Sequence, residues 1–276
     1  MGKNNITIIG CGNMGGAIAQ GLLARAQGGW NICVYDPHLT PEHSKDLENS
    51  GVKIAALLNE AVASSDAVII AVKPRYVLDL TKQLAEARPE GVILISVAAA
   101  VSTDKIQAAV SEVNGSSGNF KFVRVMPNLA VAVGEGVSGI YSADPSARLF
   151  AKELFSQIGD AFFVEDEQQI EIVTALCGCG PGFLCYMLEA LAAGAKNEGL
   201  MVEGLEKIAV KVASGTAKLL SAWKITPEEL RSRITTPGGS TAAGVEVLEQ
   251  ERVGAAIAGA VKAATAKGRG TNKERI

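Results

Sequence analysis

Histidine is nearly absent. The 276 residues hold only His38 and His43. Both follow the same predicted strand, so a histidine-built zinc site is excluded and no histidine is placed as a catalytic base. An excess of positive charge is absent too: 26 Lys and Arg against 29 Asp and Glu give a formal net charge of −3. No broad basic field is available, so no nucleic-acid partner is expected. The one basic cluster, Lys267 to Arg275, has no apolar periodicity and is expected to fray. Met1 to Asn5 run straight into a strand-like segment, without the apolar core or cleavage site of a secretion signal. No uninterrupted apolar stretch of about 20 residues stands out, so no membrane partner is expected. Cysteine is sparse and odd in number: Cys11, Cys33, Cys177, Cys179 and Cys185. This pattern fits free thiols and a cytoplasmic location. Cys177-Gly-Cys179 lacks a second cysteine pair or a nearby histidine, so no metal is expected there.

What is present is a large apolar fraction, 48%, with only 20% charged residues. That predicts a folded chain with a sizeable core. Residues 6–9 form a short β-branched run, and residues 13–26 repeat Met14, Ile18, Leu22 and Ala26 at helical spacing. Further strand signals fall at 31–35, 67–72, 92–97, 122–125, 137–141 and 161–164. Helical stretches lie between them near 40–49, 57–64, 76–87, 103–112 and 145–158. The alternation predicts an α/β fold, a Rossmann-type doubly wound parallel sheet, over residues 1–165. Residues 166–276 read as an all-helical domain, with helices at 167–176, 184–198, 204–222, 227–233, 240–250 and 252–266. A break is expected around Gly178–Gly182, where Pro181 sits. Helices this apolar on every side need another surface to cover them, which predicts a homodimer through this half.

Gly10-Cys-Gly12-Asn13-Met14-Gly15 follows the first strand and opens a helix. In that context the glycines permit a tight turn, close approach of a pyrophosphate, and strand–helix packing. The second strand ends at Asp36, where a carboxylate can accept from the adenosine ribose hydroxyls; the other reading is an acid that opens the Asp-Pro turn. Val72-Lys73-Pro74 closes the strand that begins at 67. Lys73 is either a phosphate or carboxylate contact or a surface lysine. Arg124-Val-Met-Pro-Asn128 ends another strand on the same edge. Asn128 either offers an amide to a ligand or forms a turn. Near the C-terminus, Thr236-Pro-Gly238-Gly239-Ser240-Thr241 opens a helix. Its amides, its hydroxyls and the helix dipole suit a carboxylate; the alternative is plain capping of the helix by Ser or Thr. The lack of acid–base side chains favours a reduction whose substrate brings its own proton.

Together these four segments, with Gly244 and Val247-Leu-Glu249 after the last, resemble the pyrroline-5-carboxylate reductase family in order and spacing over essentially the whole chain. The resemblance implies reduction of 1-pyrroline-5-carboxylate to L-proline by hydride from NADPH or NADH; the Asp36 carboxylate, which would repel a 2′-phosphate, favours use of NADH. It implies an interlaced helical dimer, in some members built into a decamer. It implies that Gly238, Gly239, Ser240 and Thr241 hold the substrate carboxylate beside Thr236, and that the Thr241 hydroxyl meets the ring nitrogen. One departure is plain: the family usually has Ser-Gly-Ser-Gly-Pro-Ala-Tyr where this chain has Cys177-Gly-Cys179-Gly-Pro181-Gly-Phe183. Thiols are weaker donors than hydroxyls. Two other readings remain. A β-hydroxyacid dehydrogenase would carry Lys and Asn where this chain has Leu184 and Met187. A non-catalytic NAD(P)-binding regulatory protein would bind the cofactor without turnover, a reading that the altered Cys177–Phe183 segment leaves open.

Overall fold

The structure, a computed structural model, describes residues 4–25, 29–87 and 92–274. Eight strands form one sheet: β1 (Asn4–Ile9), β2 (Trp30–Tyr35), β3 (Lys53–Ile54), β4 (Ala67–Ile70), β5 (Ile93–Ser96), β6 (Lys121–Met126), β7 (Gly136–Tyr141) and β8 (Gly159–Phe163). Their order is β3-β2-β1-β4-β5-β6-β7-β8. Neighbours run parallel except β6 and β7. The central strands β1 and β4 are apolar and β-branched because helices cover both faces. Ile8 lies between Val34 and Ile69 in register, and all three are fully buried.

The chain winds outward from β1 to β3, then returns to β4 and winds the other way. Such a reversal opens a crevice outside the C-terminal ends of β1 and β4, where ligands of doubly wound sheets bind. The first helix, Asn13–Arg25, buries Gly15, Ala17, Ile18, Ala19, Gly21 and Leu22 against the sheet. Ala26, the last member of its expected apolar stripe, lies outside the described residues.

Two compact units emerge, Met1–Gly178 with Ala264–Ile276, and Cys179–Ala263. The sheet unit thus retains the segment after residue 165. That segment is a 3₁₀ turn (Glu167–Gln169), a helical turn (Ile170–Val173) and a π-helical turn (Thr174–Gly178). The expected break at Gly178–Gly182 is narrower than the sequence implied. Helix Gly180–Asn197 already includes Pro181, which sits in its first turn, where a missing N–H costs nothing. The basic tail does not fray as expected: helix Val253–Glu274 runs through Lys267, while Arg275 lies outside the described residues.

The second unit holds helices Gly180–Asn197, Leu205–Trp223, Pro227–Ile234 and Ser240–Gln250, with the first part of Val253–Glu274. Thr226 and Glu229 close a reciprocal capping box at the third of these. Only Ala192, Ala209 and Leu230 of its apolar side chains are buried. Tyr186, Leu191, Met201, Val210 and Val212 are more than half exposed. The helical run Glu167–Asn197 is also long and apolar enough to cross a membrane by length and composition, with a mean hydropathy of 1.5.

Candidate functional site

Each glycine of the first motif has its own reason. Gly10 has φ +90°, and a Cβ there would lie 2.9 Å from both the Ala71 carbonyl oxygen and Val72 Cγ1. A Cβ on Gly15 would lie 1.9 Å from the Gly10 carbonyl oxygen, so Gly15 lets the helix seat on the strand end. A Cβ on Gly12 would meet nothing within 4 Å. Its open side faces no protein, and there the first N–H groups of helix Asn13–Arg25 lack helical acceptors. Gly16 N–H is the first to bond back, to the Gly12 carbonyl at 2.8 Å. A cleft of about 830 Å³ adjoins the turn, lined by Cys11, Gly12, Asn13, Gly16, Gln20 and Leu47. Asn13 is exposed, whereas Met14 is half-buried and packs on the core. A bare turn, a helix N-terminus and an adjoining cleft fit the pyrophosphate of a dinucleotide.

Asp36 does more than the sequence disclosed. Its Oδ2 accepts a hydrogen bond of 2.7 Å from Cys11 N–H, and its Oδ1 accepts one of 2.9 Å from His38 N–H. One carboxylate thereby joins the end of β2 to the glycine turn. Both oxygens keep lone pairs for ribose hydroxyls. The Cys11 thiol is buried, and burial together with the Asp36 charge pushes it up to about 11. It stays a neutral packing group at physiological pH.

At the end of β4, Ala71 N–H donates to the Ile9 carbonyl at 2.8 Å, and Val72 braces Gly10. Lys73 and Pro74 are exposed. Lys73 precedes a 3₁₀ turn, Pro74–Tyr76, with Pro74 at its first position. Asn128 is buried, and its amide is engaged within the protein. Nδ2 donates to the Cys177 carbonyl at 3.2 Å, and Oδ1 accepts from Val137 N–H at 3.3 Å. One side-chain N–H and the backbone of the loop remain.

Sequence reasoning missed a buried ion cluster beside that loop. Arg124 on β6 is 2% exposed, and its guanidinium lies 2.8 Å from Glu171 Oε1, itself on a residue 3% exposed. A second guanidinium nitrogen is 3.6 Å from Glu167 Oε1. Glu167 also accepts from Thr103 N–H at 2.7 Å and Thr103 Oγ1 at 2.8 Å. The only hint was an arginine inside an apolar strand, with its partners far along the chain.

In the second unit, Gly239 N–H bonds to the Thr236 carbonyl at 2.9 Å, closing a tight turn in which Gly238 takes φ +72°. Gly239, not Ser240 or Thr241, is the capping residue, and it has no side chain to satisfy the first turn. Ser240 and Thr241 are therefore the first two helical residues. Among the described residues, no hydrogen bond engages the hydroxyls of Thr236, Ser240 or Thr241. All three side chains are exposed. The result is a helix start with unspent amides and two adjoining hydroxyls, in a form that accepts an anion.

Among the described residues, no cluster of His, Cys, Asp and Glu is arranged to hold a metal ion. Residues 5–100 match the family described as NADP oxidoreductase, coenzyme F420-dependent, and residues 167–271 match that described as pyrroline-5-carboxylate reductase dimerisation. A pyrroline-5-carboxylate reductase of Aquifex aeolicus is 32% identical, with 89% of both chains covered. One of Methanosarcina acetivorans is 33% identical, covering 99% of this chain and 100% of that one. The solved structure of a pyrroline-5-carboxylate reductase from Coxiella burnetii superposes with a TM-score of 0.86 at 28% identity, covering 97% of this chain and 98% of that one. A nicotinamide-binding Rossmann unit followed by a helical dimerisation unit, with relatives this similar along nearly the full length, has one meaning: the chain belongs to the pyrroline-5-carboxylate reductase family.

Proposed function

We propose that this protein reduces 1-pyrroline-5-carboxylate to L-proline, taking hydride from NADH or NADPH. The observation that carries this reading is the unspent helix start at Ser240 and Thr241, in a chain whose other unit is built around a dinucleotide turn. The bound nicotinamide supplies the hydride. The chain's residues bind and orient. Gly10, Gly12 and Gly15, with the N–H groups of Asn13 and Met14, receive the pyrophosphate. Asp36 holds that turn and receives the ribose hydroxyls. Val72 and Pro74 shape the floor of the crevice, and Lys73 contributes positive charge at its edge.

The substrate carboxylate is received by the amides of Ser240 and Thr241, while Gly239, whose own N–H is held by the Thr236 carbonyl, leaves the approach open. Gly238 gives the turn its shape, and the Thr236 and Thr241 hydroxyls add donors. The cyclic imine enters protonated at nitrogen, so its C=N carbon is electrophilic. Hydride adds to that carbon, the C=N π electrons become a nitrogen lone pair, and the former iminium proton stays as the amine N–H. A protein acid of matched pKa is not needed, and the work left is positioning and exclusion of water. The Thr241 hydroxyl orients the ring nitrogen. The assembly is a homodimer through the helical unit, with room for higher closed forms such as a decamer, and the location is cytoplasmic.

The deciding experiment follows oxidation of NADH and of NADPH on addition of pyrroline-5-carboxylate, with a β-hydroxyacid and its keto acid as controls. Turnover of the imine alone supports the reading. Turnover of the hydroxyacid pair supports the dehydrogenase alternative. Cofactor binding without turnover of either supports a regulatory role.

A further inference from the structure

Two struts fasten the loop that ends β6. At one end, the Arg124 guanidinium meets Glu171 at 2.8 Å in an interior from which solvent is excluded. At the other, Asn128 Nδ2 donates to the Cys177 carbonyl at 3.2 Å. Both partners lie on the run 167–178, and Cys177 lies in its π-helical turn. Such turns expose backbone carbonyls that an α-helix would bond internally, and they recur at functional positions. The same cluster reaches a third element, because Glu167 grips the N–H and hydroxyl of Thr103, where the helix after β5 begins. A doubly wound sheet receives a dinucleotide across the C-terminal ends of its strands, with the second half of the ligand beyond the reversal of strand order. The ends of β5 and β6 are on that side.

A buried ion pair is a poor source of net stability, since desolvation offsets most of the attraction. What it does supply is a fixed geometry, because the forked guanidinium accepts few arrangements. We propose that Arg124 and Asn128 are positioning residues. Through Glu171 and the Cys177 carbonyl they fasten the loop Met126–Asn128 to the run 167–178, so that the loop presents an immobile edge to the nicotinamide half of the cofactor. This rests on the reading of the protein as a nicotinamide-dependent imine reductase.

The test uses the full-length chain and the variants Arg124→Lys, Arg124→Met, Glu171→Gln and Asn128→Ala. Asn128→Ala leaves the ion cluster intact, so it stays informative if an Arg124 variant fails to fold. Three quantities are measured per folded protein: NADH affinity, the emission of bound NADH, and kcat with its isotope effect on deuteride transfer. A small displacement of reacting groups costs up to about a hundredfold in rate. The expected result is NADH affinity within about threefold of wild type, because the pyrophosphate and adenosine contacts are untouched. Bound-NADH emission should shift, kcat should fall by about tenfold or more, and the isotope effect should rise as hydride transfer becomes limiting. Arg124→Lys, which keeps the positive charge but loses the planar fork, should fall between wild type and Arg124→Met. Unchanged emission and isotope effect, with only a lower melting temperature, would overturn the proposal. So would an equal loss of affinity and kcat. If the wild type binds NADH but reduces no imine, the reading of activity fails. The emission then decides: a shift in Arg124→Met and Asn128→Ala supports the positioning role, and no shift overturns it.

Discussion

The Asp36 carboxylate accepts the backbone N–H of Cys11 at 2.7 Å, so the acid that ends β2 also holds the turn between Gly10 and Gly12. A second bond, from His38 N–H, fixes the carboxylate from its own side. An acid at this position repels a 2′-phosphate and receives ribose hydroxyls. Here it has the further duty of keeping a backbone N–H from pointing elsewhere. The two duties predict a compound effect of mutation.

Replacing Asp36 with Ser removes the repulsion and also loosens the turn. Wild type should use NADH at least as well as NADPH, since no arginine fork follows Asp36 to grasp a phosphate. Asp36→Ser should weaken both cofactors, NADH more than NADPH. Loss of a hydrogen bond to a charged acceptor costs about 1.5–3 kcal/mol, so the fall in NADH affinity should exceed about tenfold. The ratio of kcat/KM values for the two cofactors is the measurement. A wild type with strong preference for NADPH, unmoved by the substitution, assigns Asp36 to the loop alone.

Gly12 and Gly15 should fail in opposite ways. Alanine at Gly15 drives a methyl to 1.9 Å from the Gly10 carbonyl oxygen, a clash with backbone that no rotamer relieves. Overpacking of this kind costs about 1–3 kcal/mol or more, so Gly15→Ala should lower the melting temperature. Alanine at Gly12 meets nothing within 4 Å. Gly12→Ala should therefore melt like wild type but bind NADH poorly, because its methyl occupies the path of the pyrophosphate. Thermal melts with and without NADH separate the two. A Gly12→Ala protein that gains wild-type stabilisation from NADH would remove Gly12 from the site.

The Cys11 thiol adds a pH dependence with a definite sign. Burial and the Asp36 charge raise it from 9.0 to about 11 in the folded protein. Between those values the unfolded chain has released the proton and the folded chain retains it. Stability from this group is complete below about pH 9 and declines as pH rises through 11. Denaturant melts from pH 8 upward should show a steeper decline for wild type than for Cys11→Ala. Parallel curves would mean that the thiol titrates normally.

Much of this was legible in the chain. Ile6, Ile8, Val68 and Ile70 announce buried parallel strands because both faces of the sheet are covered, so no polar alternation interrupts the run. β3 was missed because its two residues, Lys53 and Ile54, pair only with Cys33 and Val34 at an edge and carry no apolar pattern. The glycines of the first motif declared the turn, and Thr236–Thr241 the helix start. What Asp36 and Asn128 touch was hidden, because a side chain's partner depends on contacts the local sequence does not encode. The Arg124–Glu171 pair spans 47 residues and joins a strand to a helical turn, beyond any periodicity. The expectation of fraying in the tail also failed. Gly268 packs so near Glu171 that a Cβ there would lie 2.8 Å from its carboxylate, and this anchors a segment whose composition reads as unstructured.

The hydroxyl of Thr241 should matter to the imine and not to the cofactor. It lies in the first turn of helix Ser240–Gln250 and, among the described residues, makes no hydrogen bond of its own. Thr241→Ala should raise KM and lower kcat/KM for pyrroline-5-carboxylate by roughly 10–150-fold, the loss of about 1.5–3 kcal/mol from one bond to a charged group. NADH affinity should be unchanged. A matching loss of NADH binding would place Thr241 against the cofactor instead.

Assembly follows from what the helical unit leaves uncovered. Leu191 is 61% exposed and Val210 53%, on two consecutive helices whose neighbours Tyr186 and Val212 are exposed as well. Single exposed apolar residues are ordinary, but helices that leave apolar residues exposed on several sides call for a covering surface. A second copy of the same chain is the partner that a dimerisation family supplies. Covering such helices from both sides gives the large, apolar contact typical of obligate homodimers. Light scattering should therefore report at least a dimer at micromolar concentration. Leu191→Glu and Val210→Glu test the claim cleanly, because neither side chain is buried within its own protomer and neither change opens a cavity there. Each should shift the population toward monomer while leaving the helical circular dichroism of the separate chain largely intact. Activity should fall with dissociation and recover at higher protein concentration. A wild type that is monomeric and fully active would overturn the assignment, and so would variants that stay assembled with a glutamate at these positions.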